Sequence, residues 1–156
     1  MRVRLIAVGT RQSGWVDQAF DDYARRLRPT MPLELVEVPA VKRSASSDAA
    51  TIKTTEGKRI RAQLGTREYA VALDERGAQF STADLAVWLE ERRRSGRDLA
   101  LVVGGADGLA PEVVSACGPS WSLSRLTLPH GLVRVLLAEQ LYRAASILAG
   151  HPYHRA

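Results

Sequence analysis

The run LALVVGGADG, residues 99–108, decides the fold class of this chain. Its first five residues are all apolar, which is typical of a strand buried on both faces in the centre of a parallel sheet. The turn GGADG, residues 104–108, follows directly, and Pro111 favours the start of a short helix. Ligands of open α/β sheets bind beyond the carboxyl ends of strands, so a ligand is expected here. Taken alone, however, GGADG favours the simpler interpretation of a tight turn.

Strand and helix patterns alternate on both sides of this run and predict an α/β domain with a largely parallel sheet. A turn is predicted at 74–77, and the polar segment 40–49 is predicted to be the most flexible part of the chain. The predicted strands are 2–8, 33–38, 69–73, 99–103 and part of 121–128. The predicted helices are 14–27 capped by Ser13, 50–64, one from Ser81 or Thr82 to about 94, one from Pro111, and 130–148 capped by Gly150.

Composition limits the class of protein. The chain has 156 residues, 46% of them apolar and 25% charged, which predicts one globular domain over residues 1–156. The net charge of +5 is carried mostly by arginine and favours a nucleic-acid partner, although an arginine-rich genome would give the same bias. With one cysteine, Cys117, no internal disulfide is expected. We found no signal peptide and no apolar run of about 20 residues, so a cytoplasmic protein without a membrane span is expected.

The glycine pattern at the end of the first strand argues against a Rossmann enzyme. That strand ends in VGTRQSG, residues 8–14, which lacks the G-x-G-x-x-G of a dinucleotide site.

The last third, SWSLSRLTLPHGLVRVLLAEQLYRA, residues 120–144, is the stronger candidate for a ligand site. Residues 122–128 alternate small polar and apolar side chains before Pro129 and His130 turn the chain into a helix. Free backbone N–H and C=O groups at such a junction suit the edge of an adenine ring, although an edge strand followed by a loop fits the same pattern. The helix 130–148 is apolar around most of its circumference, which predicts that it is buried on more than one side. We expect a subunit interface to bury its second side. Glu139 and Arg143 predict a partly buried ion pair on it, with a structural role for Glu139.

The tail HPYHR, residues 151–155, concentrates side chains that suit RNA chemistry. Tyr or His can stack on a base, Arg can hold a phosphate, and His can move a proton near neutral pH. Composition alone favours a frayed terminus instead. The spacing of His151 and His154 lacks a third metal ligand, so no metal is expected.

Together, these segments resemble the RlmH family of bacterial methyltransferases, which modify N3 of a pseudouridine in 23S ribosomal RNA. The similarity covers the whole chain and includes RLIAVGT at 4–10, WVDQAFDDYARRL at 15–27, VVGGADGL at 102–109, the run 120–144 and HPYHR at 151–155. The resemblance implies a SPOUT fold, with helices on both faces of the sheet and a C-terminal trefoil knot. It also implies a homodimer, S-adenosylmethionine as methyl donor, and the assembled ribosome as substrate.

The resemblance also implies roles for particular residues. The cofactor-binding set would be Leu73, Gly105, Ser124, Arg125, Leu126, Thr127, Leu128 and Pro129. The catalytic set would be Arg143, Tyr153, His154 and Arg155. One departure is Gly131, where some relatives have proline; we expect a looser helix start and an intact pocket.

A mechanism can be outlined on this basis as a hypothesis. An arginine near the ring carbonyls would stabilise the anion of the base, and His154 would accept the N3 proton directly or through water. In a domain this small, we expect one subunit to supply the donor pocket and the other the RNA contacts. Phosphate would be held by a basic face comprising Arg25, Arg26 and residues 92–94, although such a run is commonly a solvated face.

Two other readings stay open at this point. One is a nucleotide-binding α/β hydrolase that uses GGADG, although neither a P-loop lysine nor G-x-S-x-G occurs. The other is a ribosome-binding module without catalytic activity.

Overall fold

A five-stranded parallel sheet in the order β2-β1-β4-β3-β5 organises the molecule. The structure is a computed structural model that describes residues 1–10 and 12–154. The strands are β1 (Val3–Val8), β2 (Leu33–Val38), β3 (Tyr69–Ala78), β4 (Leu99–Val103) and β5 (Ser120–Trp121). The helices are α1 (Gly14–Leu27), α2 (Ala49–Gln63), α3 (Thr82–Arg94), α4 (Pro111–Ala116) and α5 (His130–Leu148), followed by a 3-10 turn, Pro152–His154.

The central strand confirms the prediction from which the fold class was derived. All five residues of β4 are buried, and β4 pairs with β1 on one side and β3 on the other. One face of the sheet packs against α1, α3 and α5, and the other packs against α2 and α4. Continuous apolar sequence in β4 therefore reflects two separate cores, one on each face.

Helix boundaries agree closely with their sequence signals. Ser81 caps α3 in a capping box with Asp84, each side chain bonding the backbone N–H of the other. Pro111 occupies the first turn of α4, and Gly150 has the positive φ of a C-terminal cap. Ser13 precedes α1 as predicted, but its side chain makes no capping hydrogen bond.

The predicted turn at 74–77 is wrong, because β3 continues through these residues to Ala78. The register of β3 against β5 shifts between Leu73 and Ala78. A Cβ atom on Gly77 would lie 2.5 Å from the carbonyl carbon of Trp121, so glycine permits two backbones to approach closely here. The polar residues and glycine that suggested a turn are those of an irregular strand end.

The strand predicted within 121–128 is also wrong beyond Trp121. The Ser122 hydroxyl donates to the Ser124 carbonyl at 2.9 Å, and the Ser124 hydroxyl accepts from the Leu126 N–H at 2.9 Å. Such local bonds from serine compete with strand pairing. Residues 122–129 therefore form a loop between β5 and α5.

The polar segment between β2 and α2 is irregular, as its composition predicts, and α2 begins at Ala49 behind the capping residue Asp48. The segment contacts other parts of the chain at several points, including a hydrogen bond from Arg59 Nη1 to the Pro39 carbonyl at 2.6 Å. Arg43 forms an ion pair with Asp107 of the GGADG turn, and the Val41 N–H donates to Glu56 Oε1 at 3.0 Å.

Candidate active site: a backbone-lined cavity and a distant tail cluster

A cavity of about 280 Å³ opens at the carboxyl ends of β3 and β4. Its lining comes chiefly from three segments: 73–76 of β3, 103–109 after β4, and the loop 121–128. Because parallel strands end at one edge of a sheet, these segments meet there. The volume is at the lower end of the range of small-molecule sites.

The GGADG turn is tightly packed, which explains its first two glycines. A Cβ on Gly104 would lie 2.6 Å from the carbonyl carbon of Gly108, and one on Gly105 would lie 2.5 Å from Glu56 Oε2. Real Cβ atoms essentially never make contacts this short. At Gly104 and Gly105 the turn therefore has no room for a side chain and contributes backbone to the cavity lining.

Most of the residues that the sequence assigns to cofactor binding line this one cavity. They are Leu73, Gly105, Ser124, Leu126, Thr127 and Leu128. Arg125 and Pro129 belong to the same loop but are not part of the lining. Leu126 is 75% exposed although it lines the cavity.

His130, which the sequence analysis treated only as the start of the last helix, also lines the cavity. Its Nδ1 atom is buried without a hydrogen-bond partner. Burial lowers the pKa of His130, the charge of Arg134 lowers it further, and Glu56 opposes this effect. The imidazole is therefore neutral at pH 7 and can donate or accept one hydrogen bond.

Behind the cavity lies Arg134, a buried arginine that sequence reasoning missed. Only 1% of its surface is exposed. Its Nη1 donates to Glu37 Oε1 at 2.8 Å and its Nη2 to the Gly9 carbonyl at 2.5 Å. These bonds attach the start of α5 to the carboxyl ends of β1 and β2, which fixes the helix that follows the cavity loop.

The predicted catalytic residues that the structure describes lie in a separate cluster near the end of α5. Arg143 Nη2 pairs with Glu139 Oε1 at 2.7 Å, which confirms the predicted ion pair, and the guanidinium lies 5.0 Å from the centre of the Tyr153 ring. The Tyr153 ring contacts that of Tyr142 at 4.6 Å between centroids. The tail is thus ordered against α5 as far as Tyr153, rather than frayed.

Two hydroxyl contacts tie the tail to the rest of this cluster. Tyr153 Oη lies 3.3 Å from Glu139 Oε1 and 3.4 Å from Tyr23 Oη on α1. Burial raises the pKa of Tyr153, and the Tyr23 hydrogen bond and the Glu139 charge add to the rise. Tyr153 is therefore a phenol at neutral pH. Arg155 and the side chain of His154 lie outside the residues that the structure describes.

The cavity and the tail cluster are far apart within one chain. Val133 is the last residue of α5 in the cavity lining and precedes Arg143 by ten residues, which corresponds to about 15 Å along the helix axis. Groups that take part in one displacement reaction must be within about 3–3.5 Å of each other. Within the described part of a single chain, Arg143 and Tyr153 are therefore not brought to the cavity.

The comparisons with known proteins decide the family. Residues 1–154 match the family model described as "Predicted SPOUT methyltransferase". The chain is 52% identical over 155 residues to Ribosomal RNA large subunit methyltransferase H of Thioalkalivibrio sulfidiphilus, and 50% identical over 155 residues to the protein of that name from Hahella chejuensis. Each alignment covers 99% of both chains. This chain belongs to the SPOUT methyltransferase family.

The fold agrees with this assignment. This SPOUT methyltransferase superposes on a probable methylase family protein from Haemophilus influenzae Rd KW20 with a TM-score of 0.52 at 13% identity. The match covers 97% of this chain and 69% of that protein. The recognised resemblance to the RlmH family is thereby confirmed, since the relatives that are about 50% identical carry that family's name.

The basic face expected on this SPOUT methyltransferase is partly neutralised by its own carboxylates. Arg26 pairs with Asp22 at 2.7 Å and Arg25 with the same carboxylate at 3.3 Å. Arg93 and Arg94 both pair with Glu90, and Arg92 stacks over the Tyr69 ring at 4.9 Å. These arginines form a solvated, internally paired surface rather than a cluster of unpaired cations.

No group of three or more His, Cys, Asp or Glu side chains that could hold a metal ion occurs among residues 1–10 and 12–154. Over the same ranges, we found no helix with both the length and the apolarity needed to span a bilayer.

Proposed function

We propose that this chain transfers a methyl group from S-adenosylmethionine to N3 of a pseudouridine in 23S ribosomal RNA, on assembled ribosomes. The main support for this proposal is the cavity at the carboxyl edge of the sheet, which is lined by the glycine turn 104–108 and the loop 121–128. Six of the eight residues that the family resemblance assigns to the donor lie in its lining. The names of the relatives that are about 50% identical support large-subunit rRNA as the substrate.

The residues of the cavity suit a nucleoside. When bound, S-adenosylmethionine supplies a methyl group activated by a sulfonium. Backbone N–H and C=O groups at Gly105 and along 122–128 offer hydrogen bonds to an uncharged ring, and Leu73, Val103 and Leu109 offer apolar contact. Neutral His130 adds one polar side chain without adding charge that would repel a sulfonium.

The tail cluster suits the RNA base. N3 of a pseudouridine must lose its proton before or during the attack, which leaves negative charge on the ring carbonyls. Arg143 is a permanent cation that can stabilise this charge, with Tyr153 held beside it. Tyr153 remains protonated, so it can donate a hydrogen bond but does not serve as the base. The proton acceptor that we propose is His154, directly or through water.

We propose further that the enzyme is a homodimer with a composite active site. The separation of about 15 Å between Val133 of the cavity lining and Arg143 along α5 supports a site completed by the cavity of one subunit and the tail of the other. Two large apolar side chains are left exposed, Trp15 at 57% and Leu126 at 75%, and support a second copy of the chain as the surface that covers them.

The resemblance also leads us to propose a single domain with a C-terminal trefoil knot. Support comes from the close backbone contact of Gly77 with Ser120 and Trp121, because threaded segments must cross with little room. A crystal structure in which the chain is traced from 74 to 148 tests the knot. A cytoplasmic location would follow from the ribosomal substrate.

Methyl transfer from labelled S-adenosylmethionine into whole ribosomes, isolated large subunits and naked rRNA tests the function. We expect incorporation at one pseudouridine, with whole ribosomes as the preferred substrate, located by mass spectrometry of the digested RNA. Incorporation into another nucleoside, or none into any RNA, would refute the proposal. Binding of a nucleotide with its hydrolysis would support the hydrolase alternative instead.

Complementation tests the composite site. We would mix a Gly105→Trp variant, whose cavity is blocked, with an Arg155→Ala variant, whose tail is altered. Subunit exchange should create heterodimers that carry one intact site, so activity should reappear in the mixture. No recovery, under conditions where exchange is demonstrated by native mass spectrometry, would refute sharing between subunits.

A further inference from the structure

The cavity lining includes charged side chains from three segments. Lys53 comes from the second turn of α2, residues 74–76 from the end of β3, and Asp107 from the glycine turn. None of these positions belongs to the donor-binding set that the family resemblance implies. Binding of an uncharged nucleoside ring does not explain the presence of charged side chains at these positions.

Most of these charges are neutralised within the protein. Asp107 pairs with Arg43, and Asp74 accepts from the Arg76 N–H at 2.9 Å with the Arg76 Nε at 3.7 Å. Lys53 and Glu75 are exceptions to this neutralisation. Over residues 1–10 and 12–154, neither side chain forms an ion pair or a side-chain hydrogen bond. The lining therefore carries one unpaired cation and one unpaired anion.

Lys53 is held at the cavity by its helix. The adjacent Ile52 is buried in the core beneath α2, and Asp48 caps the helix by accepting from the Thr51 N–H at 3.0 Å. Lys53 itself is half-buried. A half-buried ammonium without a counter-ion gains more from an incoming carboxylate than a fully solvated one, because less water screens the attraction.

We propose that Lys53 and Glu75 bind the amino-acid group of the methyl donor, Lys53 its α-carboxylate and Glu75 its α-ammonium. This inference rests on the proposed function. The amino-acid group is a zwitterion, with one charge of each sign, which matches the two unpaired charges of the lining. The backbone around 104–108 and 122–128 then selects the nucleoside, and these two side chains select nucleosides that carry an amino acid.

A pair of thioether nucleosides tests this assignment by titration calorimetry. S-adenosylhomocysteine carries the amino-acid group, whereas 5′-methylthioadenosine lacks it, and both have an uncharged sulfur. We expect Lys53→Met to weaken S-adenosylhomocysteine binding about tenfold, the order of one charge-assisted hydrogen bond, and to leave 5′-methylthioadenosine unchanged. Glu75→Gln should act in the same direction, and Lys53→Arg should restore most of the affinity.

Lys58→Met is the matched control, since Lys58 is exposed on the same helix and does not line the cavity. It should leave both affinities unchanged. Equal losses for both ligands in Lys53→Met, or no loss for either, would overturn the inference while the proposed function stands. Unchanged nucleoside binding with weaker ribosome binding would overturn it in favour of an RNA phosphate contact at Lys53. If neither ligand binds the unaltered protein, the proposed donor site fails as well.

Discussion

Alanine in place of Gly104 would put a methyl group into the turn on which the cavity depends. The new Cβ would lie 2.6 Å from the Gly108 carbonyl carbon, 2.7 Å from its oxygen and 2.9 Å from the Leu109 nitrogen. Ordinary contacts begin near 3.4 Å, so the turn would have to open by several tenths of an ångström. All three clashing atoms belong to the backbone, and no rotamer change relieves them.

The cost of this substitution follows from the geometry. Overpacking typically costs 1–3 kcal/mol, and clashes with backbone atoms fall in the upper half of that range. We therefore expect Gly104→Ala to lower the free energy of unfolding by about 2–3 kcal/mol, which corresponds to a Tm about 5–10 °C lower for a domain of this size. The affinity for S-adenosylmethionine should fall as well, because the displaced turn lines the cavity.

Thermal unfolding followed by circular dichroism measures the effect, with Gly14→Ala as the matched control. Gly14 begins α1, and a Cβ added there meets no atom within 4 Å. Alanine at this helical position should leave Tm unchanged or raise it slightly. If Gly104→Ala melts within about 1 °C of Gly14→Ala, the turn is not tightly packed and our account of it is wrong.

Three further predictions concern stability and reactivity. Ser81→Ala removes the capping box of α3 and should cost about 1 kcal/mol in urea unfolding, whereas Ser13→Ala, at a cap without a side-chain bond, should cost less. Burial lowers the pKa of His130 in the folded protein. Below pH ~6.5 the unfolded chain therefore binds more protons than the folded chain. The free energy of unfolding should therefore fall as the pH is lowered from 7 to 5, and His130→Gln should make this pH dependence weaker. An unchanged pH dependence in His130→Gln would contradict the prediction. Burial raises the pKa of Cys117 to about 11, so a thiol reagent at pH 8 should label it only after unfolding, and rapid labelling of native protein would contradict this.

The general architecture could be predicted because it depends on local patterns. Continuous apolar residues predicted the buried strand 99–103, and helical periodicity predicted α5 with the boundaries that the structure shows. Local signals failed where two distant segments meet. Gly77 looked like a turn residue, yet it permits the contact between β3 and the backbone of Trp121, which no local pattern encodes.

The candidate site followed the same division. Glycines and a strand–proline–helix junction marked the backbone of the cavity, because free backbone groups have a local signature. Lys53, Glu75 and His130, which line the cavity, and the buried Arg134 were missed, because the fold brings them together from positions far apart in the chain. Arg134 bonds to Gly9 and Glu37, about a hundred residues away, and its sequence context suggested only an apolar helix.

Hydrogen–deuterium exchange of the native protein, with and without saturating S-adenosylmethionine, tests the donor site most directly. Our account predicts slower exchange at the amides of two separate segments, 104–108 and 122–128, with little change at the paired arginines of α1 and α3. Protection confined to other parts of the chain, or none despite measured binding, would contradict it.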